Sequence, residues 1–339
     1  MKTKTLIQSI PKVELHLHIE GTLEPELMWR LAKKHELSLP FDSIQEIANA
    51  YQFDNLQSFL DLYYQGAAVL IDEDDFFELM WAYFLRCKEQ NIVHTEIMFD
   101  PQTHTHRGID YSVFMPGFLR AKAQAESELG ITSCLILSFL RHLSQEDALL
   151  TLAQAEPYYD AIDAVGLDSS ELGNPPDKFI DVFAKAKTLG FKRVAHAGEE
   201  GPPEYIWSAL NDLDVHRIDH GVRCIEDPKL MAHLVANKMP LTVCPQSNLK
   251  LCVVNDMSEH NILDLLEQGV MVTVNSDDPS YFGGYLNQNY QALDTHLAMS
   301  DEQFIQLVKN SFEASFLSDK LKQKWIKEVD KLNHSLSHN

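Results

Sequence analysis

The sequence has few cysteines, and their arrangement argues against two kinds of site. Among 339 residues there are five cysteines, an odd number, and no two of them are separated by just two residues. Neither a disulfide framework nor a thiolate zinc knuckle is therefore indicated. Because reduced thiols are typical of cytosolic proteins, we expect a cytoplasmic location.

Positive charge and long apolar runs are also scarce. Lysine and arginine number 28 against 50 aspartates and glutamates, which gives a net charge of −22. Such an acidic surface repels phosphate backbones and anionic lipids, so we expect neither a nucleic-acid nor a membrane-surface role. No segment approaches the ~20 apolar residues of a membrane span, and residues 1–10 lack the apolar core of a signal peptide. The partner we expect is a small molecule, and the sequence leaves association into a homo-oligomer open.

A glycine-rich phosphate loop is missing too, while apolar strand-like runs recur along the chain. No Gly-x-Gly-x-x-Gly follows a predicted strand, which argues against a dinucleotide fold. Eight runs alternate with helical segments, and this predicts a single (β/α)₈ barrel domain of the TIM type over residues 1–339. Extra helices are predicted after the first strand and near the C-terminus; an open doubly wound sheet is the alternative. The predicted strands are residues 13–20, 93–99, 133–139, 162–167, 192–196, 216–220, 241–244 and 270–275.

The first predicted strand carries three polar side chains at alternate positions. Residues two apart on a strand point to the same side, so His16, His18 and Glu20 are expected to lie together. We expect the strand to end near Gly21 and a helix to run over 22–36 with Thr22 as its cap. A second pair, His104 and His106, lies in a polar stretch that we interpret as a surface loop. The aromatic residues of the following helical stretch, 53–84, are predicted to be mainly core.

Ionisable residues also follow three later strands. In a barrel the carboxyl ends of all strands meet at one face, so these residues should converge there with His16 and His18. Three imidazoles and one carboxylate suit zinc with a position left for water, whose pKa the metal lowers to give hydroxide near pH 7. The predicted ligands are His16, His18, His196 and Asp277; Glu199, His220 and Asp278 are the predicted acid–base and orienting groups. Taken alone, the Asp-Asp-Pro sequence would also fit a helix cap or a turn.

Four of these motifs together resemble a known family. Residues 11–21 (PKVELHLHIEG), 196–199 (HAGE), 219–221 (DHG) and 276–279 (SDDP) are similar in order and spacing to the adenosine/adenine deaminase family of the amidohydrolase superfamily. The similarity runs from residue 11 to beyond residue 290.

The resemblance implies a zinc-dependent barrel hydrolase that removes the exocyclic amine of a purine. It implies that Glu199 protonates the ring nitrogen beside the attacked carbon. It further implies that His220 orients the zinc-bound water and that Asp278 binds the imidazole edge of the purine.

Within that family the sequence is similar to the adenine deaminase branch at residues 99–104, 166–171, 196–206 and 277–285. Adenosine deaminases usually have aspartate where Glu20 stands, and the longer side chain is expected to intrude on a sugar. We therefore expect Glu20 to contribute to substrate binding. The reaction implied is hydrolysis of adenine to hypoxanthine and ammonia by a zinc-bound hydroxide, a step of purine salvage.

Several alternatives stay open at this point. The substrate could be adenosine, an N6-substituted adenine or its nucleotide. Cyclic amide hydrolysis with a carbamylated lysine is disfavoured because Lys192 begins its strand rather than ending it. The other zinc deaminase pattern is only half present, as His18–Ile19–Glu20 without its cysteines. A non-catalytic metal- or purine-binding barrel is the alternative of another class.

Overall fold

The computed structural model of the chain describes residues 2–53 and 55–337, and within them eight parallel strands form one sheet in chain order. Every strand pairs with the next along the chain, which confirms the predicted barrel topology and excludes the doubly wound order. The strands are Lys12–Glu14 (β1), Ile92–Phe99 (β2), Thr132–Leu140 (β3), Ala164–Asp168 (β4), Lys192–Ala197 (β5), Arg217–His220 (β6), Pro240–Val243 (β7) and Met271–Val274 (β8).

The residues that follow β8 and β1 close the barrel. Leu17 forms a bridge with Asp277, and His18 forms one with Met98 of β2. The His18 N–H donates to the Asp277 carbonyl at 3.0 Å, and the Asp277 N–H donates to the His16 carbonyl at 3.2 Å. Closure of the barrel therefore places two of the predicted ligand histidines directly beside the predicted ligand carboxylate.

Helices follow the strands and surround the barrel, with the predicted insertions after β1 and after β8. The helices before β2 are Lys2–Ser9 (α1), Pro25–Lys34 (α2), Ile44–Asn49 (α3), Leu56–Ala67 (α4) and Glu73–Glu89 (α5). Those between β2 and β6 are Pro101–Thr105 (α6), Tyr111–Gln124 (α7), Gln145–Gln154 (α8), Ile180–Thr188 (α9) and Pro203–Asn211 (α10). The remaining helices are Pro228–Asn237 (α11), Pro245–Lys250 (α12), Ile262–Glu267 (α13), Pro279–Phe282 (α14), Leu286–Leu297 (α15), Asp301–Ala314 (α16) and Asp319–Ser337 (α17).

Side-chain caps explain where the inserted helices α4 and α5 begin. Asn55 and Ser58 form a reciprocal capping box at the start of α4, and Asp72 and Asp75 form another at the start of α5. Each box satisfies N–H groups that lack a partner at a helix N-terminus. Within the described residues, none of the helices combines the length and the apolar character that crossing a bilayer requires.

Two apolar clusters lie on the two sides of the barrel wall. A small cluster of four residues comes from four adjacent strands, β2 to β5, while a much larger one includes buried residues of the surrounding helices. The small cluster consists of Met98, Ile136, Ala164 and Val194. Bulky apolar residues fill it, so this part of the barrel is a packed core rather than a channel.

The segment after β1 differs from the prediction. The strand ends at Glu14, and residues 20–22 form a 3₁₀ turn before α2 begins at Pro25. Thr22 does not cap the helix, because its Oγ1 donates to the Ile19 carbonyl at 2.7 Å. Regular strand pairing stops after Glu14, and beyond it Leu17 and His18 make only single bridges to the residues beside them.

Candidate metal centre and active site

The four residues predicted as metal ligands converge at the carboxyl ends of the strands. One nitrogen or oxygen atom from each of His16, His18, His196 and Asp277 lies within 4.8 Å of all the others, and all four residues are buried. His16 Nε2 is 3.2 Å from Asp277 Oδ1, and His18 Nε2 is 3.2 Å from His196 Nε2. Three nitrogens and one carboxylate oxygen around one point are a donor set that suits a divalent transition metal.

The outward-facing nitrogens of the three histidines support the same interpretation. Each ring turns Nδ1 toward an oxygen of the chain and leaves Nε2 toward the common centre. These contacts join His16 to Thr242 Oγ1 (3.1 Å), His18 to Asp168 Oδ2 (3.4 Å) and His196 to Asp219 Oδ2 (3.7 Å). Metal-binding histidines are oriented in this way by oxygens behind them. His16 Nε2 is buried, and although Asp277 Oδ1 is 3.2 Å away it makes no hydrogen bond of acceptable geometry with any described residue, so the residues fit a metal ion.

Glu199 and His220 lie together beside the carboxylate of this centre. His220 Nε2 is 3.6 Å from Glu199 Oε1 and also 3.6 Å from Asp277 Oδ2. Burial, with the charges of Asp277 and Glu171 adding to it, raises the pKa of Glu199 well above its ordinary value. Burial lowers the pKa of His220 to about 3. A raised pKa favours the protonated form of Glu199 and a lowered pKa the neutral form of His220, which suits a proton donor and an orienting group, respectively.

Glu171, for which the sequence predicted no role, holds the loop that carries Glu199. Its carboxylate accepts four backbone N–H groups, at distances of 2.7 to 3.1 Å; these belong to Gly198, Glu199, Glu200 and Gly201. A side chain at Gly201 would collide with this carboxylate, since an added Cβ would lie 2.5 Å from Oε1. Four hydrogen bonds to one charged group fix the loop rigidly. The signal in the sequence is an acidic residue three positions after the end of β4.

Asp278 lies next to the four predicted metal ligands, and one of its carboxylate oxygens makes no hydrogen bond with the described residues. The residue precedes α14, but its side chain makes no capping hydrogen bond, so the alternative of a simple helix cap does not describe it. Its Oδ1 is buried without a partner, and burial followed by the charge of Asp277 raises its pKa well above the ordinary value. Gly21 makes room for it, because a Cβ at that position would lie 1.9 Å from Asp278 Oδ1.

A cavity opens over these groups. Its volume is about 380 Å³ including its opening to solvent. His18, His196, Glu199, His220, Asp277 and Asp278 line its polar side. Phe59, Tyr63 and Phe282 line its apolar side, so Phe59 and Tyr63, from the stretch 53–84 that was predicted to be mainly core, also form part of a wall suited to a flat ring.

Glu20 lies close to the cavity within a buried polar network. It belongs to the 3₁₀ turn rather than to β1, and its Oε1 is 2.7 Å from His104 Nε2. Tyr63 OH donates to Glu20 Oε2 at 3.4 Å and to Asp100 Oδ2 at 3.1 Å, and Tyr63 and Asp100 are the members that line the cavity. The prediction of a surface loop was wrong for His104, which is fully buried in α6, and correct for His106, which is exposed. The period of a one-turn helix is too short to be recognised in a sequence.

Three of the nine non-glycine residues with a left-handed backbone among the described residues lie at the same face of the barrel. Ser169, His220 and Asp277 have φ values of 75°, 63° and 64°, in the left-handed region that residues with a side chain rarely adopt. All three lie at or just after the end of a strand. Such strain persists where the surrounding structure holds a functional side chain in place.

Comparison with known proteins agrees with this geometry. The family described as adenosine deaminase matches residues 11–332. The chain is 60% identical over 332 residues to an adenine deaminase from Acinetobacter baylyi, covering 98% of this chain and all of the relative. The crystal structure of an adenine deaminase from Arthrobacter aurescens superposes with a TM-score of 0.94 at 45% identity, covering 96% of this chain and 99% of that one.

A more distant structure shares the fold alone. It is a Burkholderia ambifaria amidohydrolase with bound Zn, with a TM-score of 0.90 at 23% identity, covering 99% of this chain and 95% of that one. The match over residues 11–332 contains every group of the centre described above, from His16 to Asp278. The chain belongs to the adenosine deaminase family.

Proposed function

We propose that this protein hydrolyses the exocyclic amine of adenine, giving hypoxanthine and ammonia, as an enzyme of purine salvage. The observation that carries the proposal is the convergence of His16, His18, His196 and Asp277 at the base of a cavity that Glu199 also lines. The relatives named adenine deaminase, at 60% identity in sequence and 45% in the solved structure, support adenine as the substrate. A cavity walled by aromatic rings on one side suits a planar base.

The metal we propose is one zinc ion per chain, held by the four converging residues. The donor set of three imidazoles and one carboxylate supports zinc with one position left for a small ligand. The chemistry that zinc supplies in such a site is to lower the pKa of a water molecule, so that a hydroxide nucleophile is available near pH 7. Thr242, Asp168 and Asp219 orient the three histidines from behind.

The remaining polar groups take distinct roles toward the purine. Glu199 enters protonated and donates to the ring nitrogen next to the attacked carbon, which its raised pKa supports. Asp278 binds the imidazole edge of the purine with the oxygen that has no hydrogen-bond partner among the described residues. His220 orients the attacking oxygen, which its position 3.6 Å from both Glu199 and Asp277 supports.

We propose a free base rather than a nucleoside because of the network around Glu20. Burial raises the pKa of Glu20 to about 7 and that of Asp100 to about 8. Tyr63 joins the two carboxyl groups, and with Asp100 it lines the cavity. A sugar attached to the base would have to displace this tightly bonded group, which favours adenine over adenosine and over N6-substituted nucleotides. In this proposal Glu20 contributes to substrate binding through Tyr63 and Asp100.

We further propose that the chain forms one domain over residues 1–339 and works in the cytoplasm. The large apolar cluster joins residues from α1 through α17, which supports one folding unit. All five cysteines are unpaired, which supports a reducing compartment.

The test is release of ammonia from adenine, adenosine and N6-methyladenine by the same zinc-loaded preparation. We expect turnover mainly of adenine, loss of activity after chelation and recovery when zinc is added back. Turnover mainly of adenosine would agree with the proposed metal chemistry but would contradict the proposal that the Glu20 network excludes the sugar. Stoichiometric zinc without turnover of any purine would favour a non-catalytic binding barrel.

A further inference from the structure

Behind His220, on the side away from the metal centre, lie two buried polar side chains. His220 Nδ1 is 3.4 Å from Asn248 Nδ2, and Asn248 Oδ1 is 3.1 Å from His260 Nε2. Asn248 is fully buried, and His260 is 4% exposed. Neither residue is a predicted ligand, and His260 does not line the cavity. The pair therefore acts on the site through His220.

The backbone sets the direction of this chain of hydrogen bonds. The N–H of Ile262 donates to His260 Nδ1 at 3.2 Å, so Nδ1 must be the nitrogen without hydrogen. Burial lowers the pKa of His260 to about 4, which keeps the ring neutral at neutral pH. The hydrogen of the neutral ring is therefore on Nε2, and it donates to Asn248 Oδ1.

The amide of Asn248 carries this direction to His220. Because its oxygen is used by His260, its NH₂ group faces His220 and donates to Nδ1. A ring nitrogen that accepts a hydrogen bond has no hydrogen in the neutral form. The hydrogen of His220 is therefore on Nε2, which faces the site.

The other side of His220 leads independently to the same tautomer. Nε2 lies 3.6 Å from Asp277 Oδ2, an oxygen of a carboxylate, and 3.6 Å from Glu199 Oε1. An N–H at this position is attracted by the Asp277 carboxylate, whereas a bare nitrogen lone pair would be repelled by it.

We propose that His260 and Asn248 are positioning residues that hold His220 in the tautomer with hydrogen on Nε2, so that His220 donates a hydrogen bond to the attacking oxygen and does not remove its proton. The inference rests on the proposed deamination for its catalytic consequence, but the tautomer itself does not depend on the substrate. Acid–base exchange with the purine ring then belongs to Glu199 alone.

The first test reads the tautomer directly. We would record ¹⁵N spectra of histidine-labelled protein, with and without zinc, and assign His220 by the signals lost in His220→Asn. We expect hydrogen on Nε2 and none on Nδ1 in both samples. Hydrogen on Nδ1 of His220 would overturn the proposal, whatever the enzyme turns over.

The second test uses two variants that differ in polarity. Asn248→Asp is nearly isosteric, but a carboxylate only accepts hydrogen bonds, so it should draw the hydrogen of His220 to Nδ1. His260→Gln keeps an N–H donor toward Asn248 and should keep the tautomer. A wrong histidine tautomer costs about 10⁴-fold in the rate of a serine protease, and for loss of one oriented donor here we expect a fall in kcat of at least about tenfold in Asn248→Asp.

Comparing the tautomer and kcat of the two variants distinguishes a positioning role of Asn248 and His260 from a purely structural one. We expect Asn248→Asp to invert the tautomer and lower kcat with little change in KM, while His260→Gln keeps the tautomer and loses less. Equal losses in both variants, with the tautomer unchanged, would mean a purely structural role and contradict the proposal. An Nε2–H tautomer in an enzyme inactive on adenine would count against the proposed function only.

Discussion

The barrel interior contains two sets of buried charged groups that are satisfied in opposite ways. At the mouth, which we define as Glu199 and Asp278, one buried carboxylate oxygen of each residue has no hydrogen-bond partner among the described residues. Further from the carboxyl ends of the strands lies the floor, which we define as Lys12, Glu96 and Arg217.

In the floor each charged group makes at least two hydrogen bonds within the chain, although Arg217 Nε itself has none and lies 3.7 Å from Asp219 Oδ1. Arg217 donates to Glu96 Oε2 at 2.6 Å and to the Leu15 carbonyl at 2.9 Å. Lys12 Nζ donates to the carbonyls of Ile7 and Ile10 at 2.7 and 2.8 Å.

The comparison separates groups that await a ligand from groups that hold the barrel together. Burial is nearly complete in both regions, so burial alone does not tell function from structure. Carboxylate oxygens without a partner do distinguish the two regions, because a buried polar atom without a partner costs about 1–3 kcal/mol unless a ligand, ion or water supplies one. Changes at the mouth should therefore alter chemistry, and changes in the floor should alter stability.

The largest effect is expected for Glu199→Gln at the mouth. The amide keeps the shape of the side chain but cannot transfer a proton, so we expect a loss of about 10²–10⁴-fold in kcat. Zinc content, measured by elemental analysis, and the melting temperature should stay close to those of the unaltered protein. Near-normal turnover in this variant would contradict the assignment of Glu199 as the proton donor.

In the floor, Glu96→Gln should have the opposite profile. It removes the carboxylate to which the fully buried Arg217 is hydrogen-bonded and leaves only Asp219, at 3.7 Å, as a counter-charge, and breaking a buried pair from one side costs about 3–5 kcal/mol. Urea denaturation should show this loss, while kcat of the folded enzyme changes little. Glu36→Gln, an exposed position, is the matched control, with an expected change within about 0.5 kcal/mol. A Glu96→Gln protein as stable as this control would contradict the division between mouth and floor.

Lys12 gives the floor a characteristic dependence on pH. Burial lowers its pKa from 10.5 to about 7, so between about pH 7 and 10.5 the unfolded chain binds more protons than the folded one. Stability therefore rises with pH across this window, by up to about 1.4 kcal/mol per unit. The difference between the protein and Lys12→Met, followed by denaturation from pH 7 to 10, isolates this contribution. A constant difference across the window would show that Lys12 does not titrate there.

The sequence predicted the barrel and the metal cluster because both depend on patterns that a chain displays locally. Apolar runs of strand length are visible in one dimension, and the barrel rule then brings His196 and Asp277 to the same face as His16. Asp168 and Asp219 were missed as partners of the ligand histidines, since their role depends on which atom of a ring they face. His104 was misplaced for the same reason: only the fold shows that Glu20 needs a partner.

The smallest expected effect concerns Glu20, which belongs to neither region, because its oxygens have partners although it lies next to the cavity. Glu20→Asp shortens the side chain by one methylene, which loosens Tyr63 and Asp100 and enlarges the end of the cavity. One methylene in a binding pocket changes discrimination by about 1–3 kcal/mol. We therefore expect kcat/KM for adenosine, relative to that for adenine, to rise about tenfold when both are measured by ammonia release.

The matched control for this change is His106→Asn. It alters the exposed member of the same histidine pair and should leave the ratio of the two substrates unchanged. If Glu20→Asp gains nothing on adenosine while adenine turnover persists, Glu20 does not limit the size of the substrate. The selectivity would then lie with Tyr63 and Asp100, the members of the network that line the cavity directly.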